Sequence, residues 1–294
     1  MPTRGAFIVI EGLDRSGKST QAAKLKEKLA ADGVKVELMK FPDRTTAIGK
    51  MIDAYLRTNI EMDDHVVHLL YSANRWELAS RISILLTEGT TIICDRYAFS
   101  GIAFSASKVA ASSTTSTSAS TSTSTTAAST STTAASTSTT ATSTSTTAAS
   151  ISAPSSQPQP STTQTALESA PTPNPLLPYA WCRAPDIGLP APDVTLFFDI
   201  APEAARARGG YGEERYERED VQRRVMEVYA RLGAEMEAVR PGSWVRVDAA
   251  RAVEEVADAV WAVVDSLLHS GDGGDGSKGG VEGEVGRLWE GELA

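Results

Sequence analysis

Short apolar runs separated by longer stretches with helical spacing give this chain the alternation of strands and helices expected of a parallel α/β sheet. Residues 7–10, Phe-Ile-Val-Ile, form the first strand, and residues 21–31 after a glycine-bearing turn have helix-forming composition. Leu25 and Leu29 stand four apart among lysines on that helix, which Asp32-Gly33 closes. Residues 34–39 alternate apolar and charged side chains and read as the second strand, ended by Phe41-Pro42-Asp43-Arg44. Further strands are predicted at 90–94, 194–200 and 244–247. Helices are predicted at 47–57, 63–87, from about 98, and at 201–207, 219–239 and 253–268. Val256, Val260, Val263, Val264 and Leu267 share one side of the last helix. The fold expected is one α/β domain, a five-stranded parallel sheet flanked by helices.

One stretch breaks the pattern. From 110 to 150 every residue is Ala, Ser or Thr, and the sequence to about 175 adds mostly Pro, Gln and more of the same. Without apolar periodicity it buries too little surface to offset the ordering entropy of its backbone, so disorder is expected. The predicted organisation is a single domain made of 1–108 and 176–270, a low-complexity insert at 109–175, and a tail at 271–294. In that tail 271–280 is a flexible linker, and 281–289 is short enough to dock back. The insert reads as a functionally neutral linker. An O-glycosylated stalk is the competing reading, disfavoured because there is no N-x-[ST] sequon and no secretory run.

Net charge is −9, and the segment after 270 carries six acids against Lys278 and Arg287. That balance argues against a general nucleic-acid surface, so an anionic substrate must be held by local arginines. Cys94 and Cys182 are the two cysteines, one in an apolar strand pattern and one in a Trp-Cys-Arg turn, which suggests a reduced pair in a reducing compartment. The first apolar run, 6–10, is too short for a secretory core, and no uncharged run approaches the roughly 20 residues of a membrane span. A cytoplasmic protein is expected, with nuclear pools left open.

The chemistry begins at Gly12-Leu13-Asp14-Arg15-Ser16-Gly17-Lys18-Ser19-Thr20, a G-x-x-x-x-G-K-[ST] phosphate loop between strand and helix. Its glycines let the backbone turn tightly, so that consecutive N–H groups and the positive end of the helix face an anion. Lys18 is then the side chain for the β and γ phosphates, and the Ser19 hydroxyl a ligand for magnesium. Asp95-Arg96 follows the third strand, where an acid can complete a magnesium shell and an arginine can meet a phosphate. A helix-capping aspartate is the plainer reading of Asp95. Phe41 and Arg44 at the second strand's end suit base stacking and anion contact, or a capped turn with one buried ring. Tyr71 and Arg75, one helical turn apart, can grip a flat base or form a surface cation–π pair. Residues 206–218, with three glycines and four arginines, have the composition of a lid.

Six blocks, FIVIEGLDRSGKSTQ, FPDRTTAIGK, HLLYSANRWE, CDRYAFSGIAFSASK, WCRAPDIGLPAPD and ERYER, together resemble the eukaryotic thymidylate kinases. The resemblance implies a three-layer P-loop nucleoside monophosphate kinase fold with a lid, ATP as phosphoryl donor with Mg2+, dTMP as acceptor, and a homodimer. It further implies that Asp14 meets the deoxyribose, that Arg15 is a catalytic arginine, and that Arg208 touches ATP. Phe41 and Tyr71 would pack the thymine, Arg75 its edge, Gly101 and Phe104 the wall beside it, and Arg44 and Arg96 the monophosphate. Tyr216 and Gln222 would close over the acceptor, while Asp95 with Ser19 organises magnesium. Two departures stand out: Tyr71 where the family commonly has Phe, and the long insert where it has a few residues. Another nucleoside monophosphate or deoxynucleoside kinase, or a nucleotide-binding switch, is the alternative on the same loop.

Overall fold

A computed structural model describes residues 3–109, 176–208, 216, 218–269 and 280–291. The predicted insert beyond Val109, the predicted 271–280 linker except Gly280, and lid residues 209–215 and 217 lie outside these. The elements are β1 (Thr3–Arg4), β2 (Phe7–Gly12), α1 (Lys18–Ala31), β3 (Val36–Lys40), α2 (Ala47–Leu56), α3 (Asp64–Thr87), β4 (Thr91–Asp95) and α4 (Ala98–Ala106). They continue with α5 (Tyr179–Arg183), β5 (Val194–Asp199), α6 (Pro202–Arg206), α7 (Glu219–Val239), β6 (Trp244–Asp248), α8 (Val253–His269) and β7 (Val281–Glu282).

Strands β3-β4-β2-β5-β6 form one sheet, and every pairing in it is parallel. The central strand β2 is buried along its whole length, which is why it reads as continuously apolar rather than alternating. Edge strand β3 keeps only Met39 buried, and its alternation of apolar and charged residues follows. Leu25 and Leu29 on α1, and Val256, Val260, Val264 and Leu268 on α8, pack into the core over the sheet. In this topology the carboxyl ends of β2, β3 and β4 deliver the phosphate loop, Phe41 and Arg96 to one edge.

One local expectation needs correction. Cys182 lies in a helix, α5, rather than a turn; five residues between prolines are too few to display a helical period. The tail does dock: β7 pairs antiparallel with β1, and Leu288 and Trp289 are buried. Arg4, placed by β1, reaches Asp193 in a two-pronged ion pair of 2.7 and 2.8 Å, which fixes the start of β5 to the same corner. Cys94 and Cys182 are both buried and unpaired with each other. Among the described residues no helix is long and apolar enough to cross a membrane.

Candidate active site

Directly after β2 the backbone bends sharply, with Gly12 at φ 141°, Arg15 at 62° and Gly17 at 94°. A side chain at Gly12 would strike the Phe198 carbonyl at 2.6 Å, so the close approach to β5 demands glycine. Among the described residues no side chain caps α1, and its first amides face the loop as the motif predicts. Lys18 is folded back onto the Leu13 carbonyl and Ser16 Oγ (3.2 Å). Burial, reinforced by Arg96 and opposed by Asp14, Asp95 and Glu11, brings its ammonium down to about 7.

Ser19 Oγ donates to Asp95 Oδ2, and Lys40 lies 3.4 Å from the same oxygen. Among the described residues, buried Asp95 Oδ1 has no hydrogen-bond partner. Burial works to protonate this carboxyl, but Lys18 and Arg96 outweigh it and keep it below the usual range. The helix-cap reading of Asp95 fails, because another carboxylate does that work. Glu11 Oε1 accepts from the backbone N–H groups of Tyr97 (2.9 Å) and Ser100 (3.0 Å) at the start of α4. Its Oε2 accepts from Ser100 Oγ and from Tyr229 OH (3.0 Å).

That arrangement holds Arg96, itself at φ 70°. Arg96 NH1 donates to the Gly12 carbonyl (3.2 Å) and Ser100 Oγ (3.1 Å), while NH2 pairs with Asp14 of the loop. Glu11 thus organises the site from the core, and sequence reasoning missed it. Its only signal is an acid at the end of a fully buried strand, where an unpaired charge would be prohibitive.

Phe41 is buried against Tyr97 at 5.7 Å between ring centroids, as the buried-ring reading expects, and it also lines the cleft. Arg44 NH1 pairs with Asp53 at 2.8 Å. Arg75 is 1% exposed and bound through Nε and NH2 to Asp186 at 3.1 and 2.6 Å, which overturns the surface cation–π alternative. A Cβ at Gly101 would sit 2.7 Å from Arg75 NH1, so that position must be glycine for the guanidinium to lie there. Phe104 faces Arg96 at 5.4 Å and meets the Tyr216 ring edge-on at 5.5 Å. Gln222 Nε2 donates to the Tyr216 carbonyl (2.7 Å) and to Asp14 Oδ2 (3.3 Å). Arg208 lies over the loop, donating to the carbonyls of Arg15 (3.3 Å) and Ala249.

These parts share one cleft of about 790 Å³, walled by the loop from Asp14 to Thr20 at one end and by Phe41, Tyr71, Arg75, Gly101 and Phe104 at the other. Gly12, Leu13 and Gln222 stand behind its wall. A third wall, absent from the sequence reading, comes from Ala249, Arg251, Ala252 and Val253 at the start of α8. Gln21 Nε2 ties it to α1 through the Val253 carbonyl at 2.7 Å.

Comparisons with known proteins agree with this geometry. The family model described as thymidylate kinase matches residues 10–123 and 174–260, breaking across the insert. A thymidylate kinase of Arabidopsis thaliana is 39% identical over 89% of this chain and 71% of its own length. That of Schizosaccharomyces pombe is 37% identical over 90% and 93%. The human enzyme is 32% identical over 98% of each. A solved thymidylate kinase from Candida albicans superposes with a TM-score of 0.67 at 28% identity, covering 98% of this chain and 99% of its own.

Proposed function

Because the chain belongs to the thymidylate kinase family, phosphotransferases that move the γ-phosphoryl group of ATP onto dTMP to give dTDP, we propose that the two ends of its cleft divide that reaction between donor and acceptor. The carrying observation is that Arg96 bridges them, bound to Asp14 and Gly12 of the loop while facing Phe104 of the aromatic wall.

At the donor end the first amides of α1 and Lys18 receive the polyphosphate, Arg15 and Arg208 add charge above it, and the wall at 249–253 takes the base. At the acceptor end Phe41, Tyr71 and Phe104 orient a pyrimidine, Arg75 offers NH1 to its polar edge, and Arg44 and Arg96 hold the monophosphate. Asp14, Gln222 and Tyr216 close the sugar side. The attacking oxygen is already anionic, so the residues need no general base; their work is alignment and countercharge.

Magnesium fits Ser19 and Asp95. An unpartnered buried carboxylate oxygen beside a hydroxyl is a donor set for an ion that draws its other ligands from phosphates and water. When bound it supplies countercharge to the phosphates; every positioning step belongs to the residues above.

Val66, Leu69, Trp76 and Ile84 leave an apolar strip exposed along α3, and a second copy of the chain is its natural cover. A dimer that dissociates on Leu69→Glu in sedimentation supports that; a monomeric wild type removes it. The buried, unpaired thiols suit the reducing cytoplasm.

ADP release measured across dTMP, dUMP, dCMP, dGMP and thymidine tests the acceptor. dTMP, followed by its close analogue dUMP, is expected to lead. Preference for any other acceptor, or nucleotide binding with no transfer to any of them, overturns the proposal.

A further inference from the structure

Lys108 was not singled out by the motifs, yet it stands where four parts of the molecule meet. Its Nζ donates to Asp64 Oδ1 at the start of α3 and to Tyr55 OH of α2 (3.4 Å). It also lies 5.6 Å from the Tyr55 ring and 5.3 Å from the Tyr216 ring. Tyr216 OH donates to Tyr55 OH at 3.3 Å. The backbone at Lys108 is equally committed: its carbonyl accepts from Leu176 N–H at 2.9 Å, and the preceding Ser107 carbonyl accepts from Arg224 Nε at 2.9 Å.

An ammonium this enclosed, its side chain 10% exposed, is stabilised by one carboxylate and by two ring faces within cation–π range. It draws the two tyrosines together and thereby fixes Tyr216, whose ring meets Phe104 in the cleft wall. We propose that Lys108 is a positioning residue of the acceptor site, setting Tyr216 against the bound nucleoside monophosphate and linking that contact to the backbone at Leu176. It touches no substrate; its effect is on how well the acceptor is held. The inference rests on the acceptor-end assignment above.

The test is steady-state kinetics on the full chain. Lys108→Met should raise KM for dTMP by about tenfold, leaving kcat and KM for ATP within about twofold, and Lys108→Arg should recover most of the loss. Asp64→Asn, which loosens the ammonium without altering either tyrosine, should shift the same parameter by about threefold and serves if the methionine variant does not fold. Equal losses in all three parameters alongside a lower melting temperature, or an unchanged KM for dTMP, overturn the proposal. Tyr71→Ala run in parallel separates the two levels. If it raises KM for dTMP while the Lys108 variants do not, only the role of Lys108 falls; if neither does, the acceptor assignment falls first.

Discussion

At the loop end of the cleft the anion-binding surface is mainly backbone from one continuous stretch, with Lys18 on the same turn, while Arg208 and the start of α8 flank it. At the aromatic end the surface is side chains from α2, α3, α4, the segment after β3 and the residues before α7. A backbone cradle recognises any polyphosphate, since every residue supplies an N–H. A side-chain wall can be shaped to one base, and each member then depends on a partner elsewhere: Arg75 on Asp186, Arg96 on Glu11 through Ser100, Tyr216 on Tyr55. Damage at the first end should therefore cost turnover, and at the second affinity for one substrate.

The largest effect expected is on Lys18. Lys18→Met removes a charge that strengthens its contacts as the phosphoryl group transfers, and should lower kcat by about 10²–10³-fold with little change in KM for dTMP. Quenched single-turnover assays check it; normal turnover would show that the loop amides suffice without the ammonium. Arg15→Ala should fail in the same direction.

Gly101→Ala probes the other end. The added methyl would meet Arg75 NH1 and NH2 at 2.7 and 2.8 Å, and Asp186 prevents the guanidinium from swinging aside. The expected outcome is a loss of about 1–3 kcal/mol of stability with a raised KM for dTMP and an unaltered KM for ATP. Equal changes in both KM values would mean that the two ends are not separable.

The contrast also explains what could be read from the chain. The donor loop was legible because its residues are consecutive and their roles follow from backbone geometry. The five strands and the buried faces of α1 and α8 were legible because burial imprints a period, whereas the order of the strands in the sheet was not. The acceptor residues carried no local signal stronger than an aromatic and an arginine on one helix; their grouping came from resemblance to a family. Glu11 stayed hidden because its partners Ser100 and Tyr229 lie far along the chain, and Lys108 because it looked like the approach to a low-complexity stretch.

A smaller effect sharpens the donor side. With the Lys18 pKa brought down to about 7, its side chain is mostly the neutral amine in the free protein at pH 8, whereas a bound polyphosphate favours the ammonium form. ATP binding should then take up close to one proton at pH 8 and little at pH 6, since below 7 the proton is already present. Calorimetry in two buffers of different ionisation enthalpy measures this, and Lys18→Met should abolish the buffer dependence. No buffer dependence at pH 8 in the wild type would mean that the loop end is already charged before the nucleotide arrives.

The smallest change is expected from the largest deletion. Leu176 N–H and the Lys108 carbonyl are 2.9 Å apart, so the ends flanking the insert already meet, and removing 110–173 leaves Val109, Asn174 and Pro175 to span a gap that three residues close without strain. For a segment whose composition predicts disorder, closure entropy grows only with the logarithm of its length, and shortening it should stabilise the fold by about 3 kcal/mol. Turnover and KM for ATP should stay within about twofold, with a raised melting temperature. KM for dTMP is the sensitive quantity, because Lys108 sits at that junction and contacts Tyr216. A shift confined to it would mean that the insert acts on the acceptor end alone, whereas a fall in turnover would carry its influence across Arg96 to the phosphate loop.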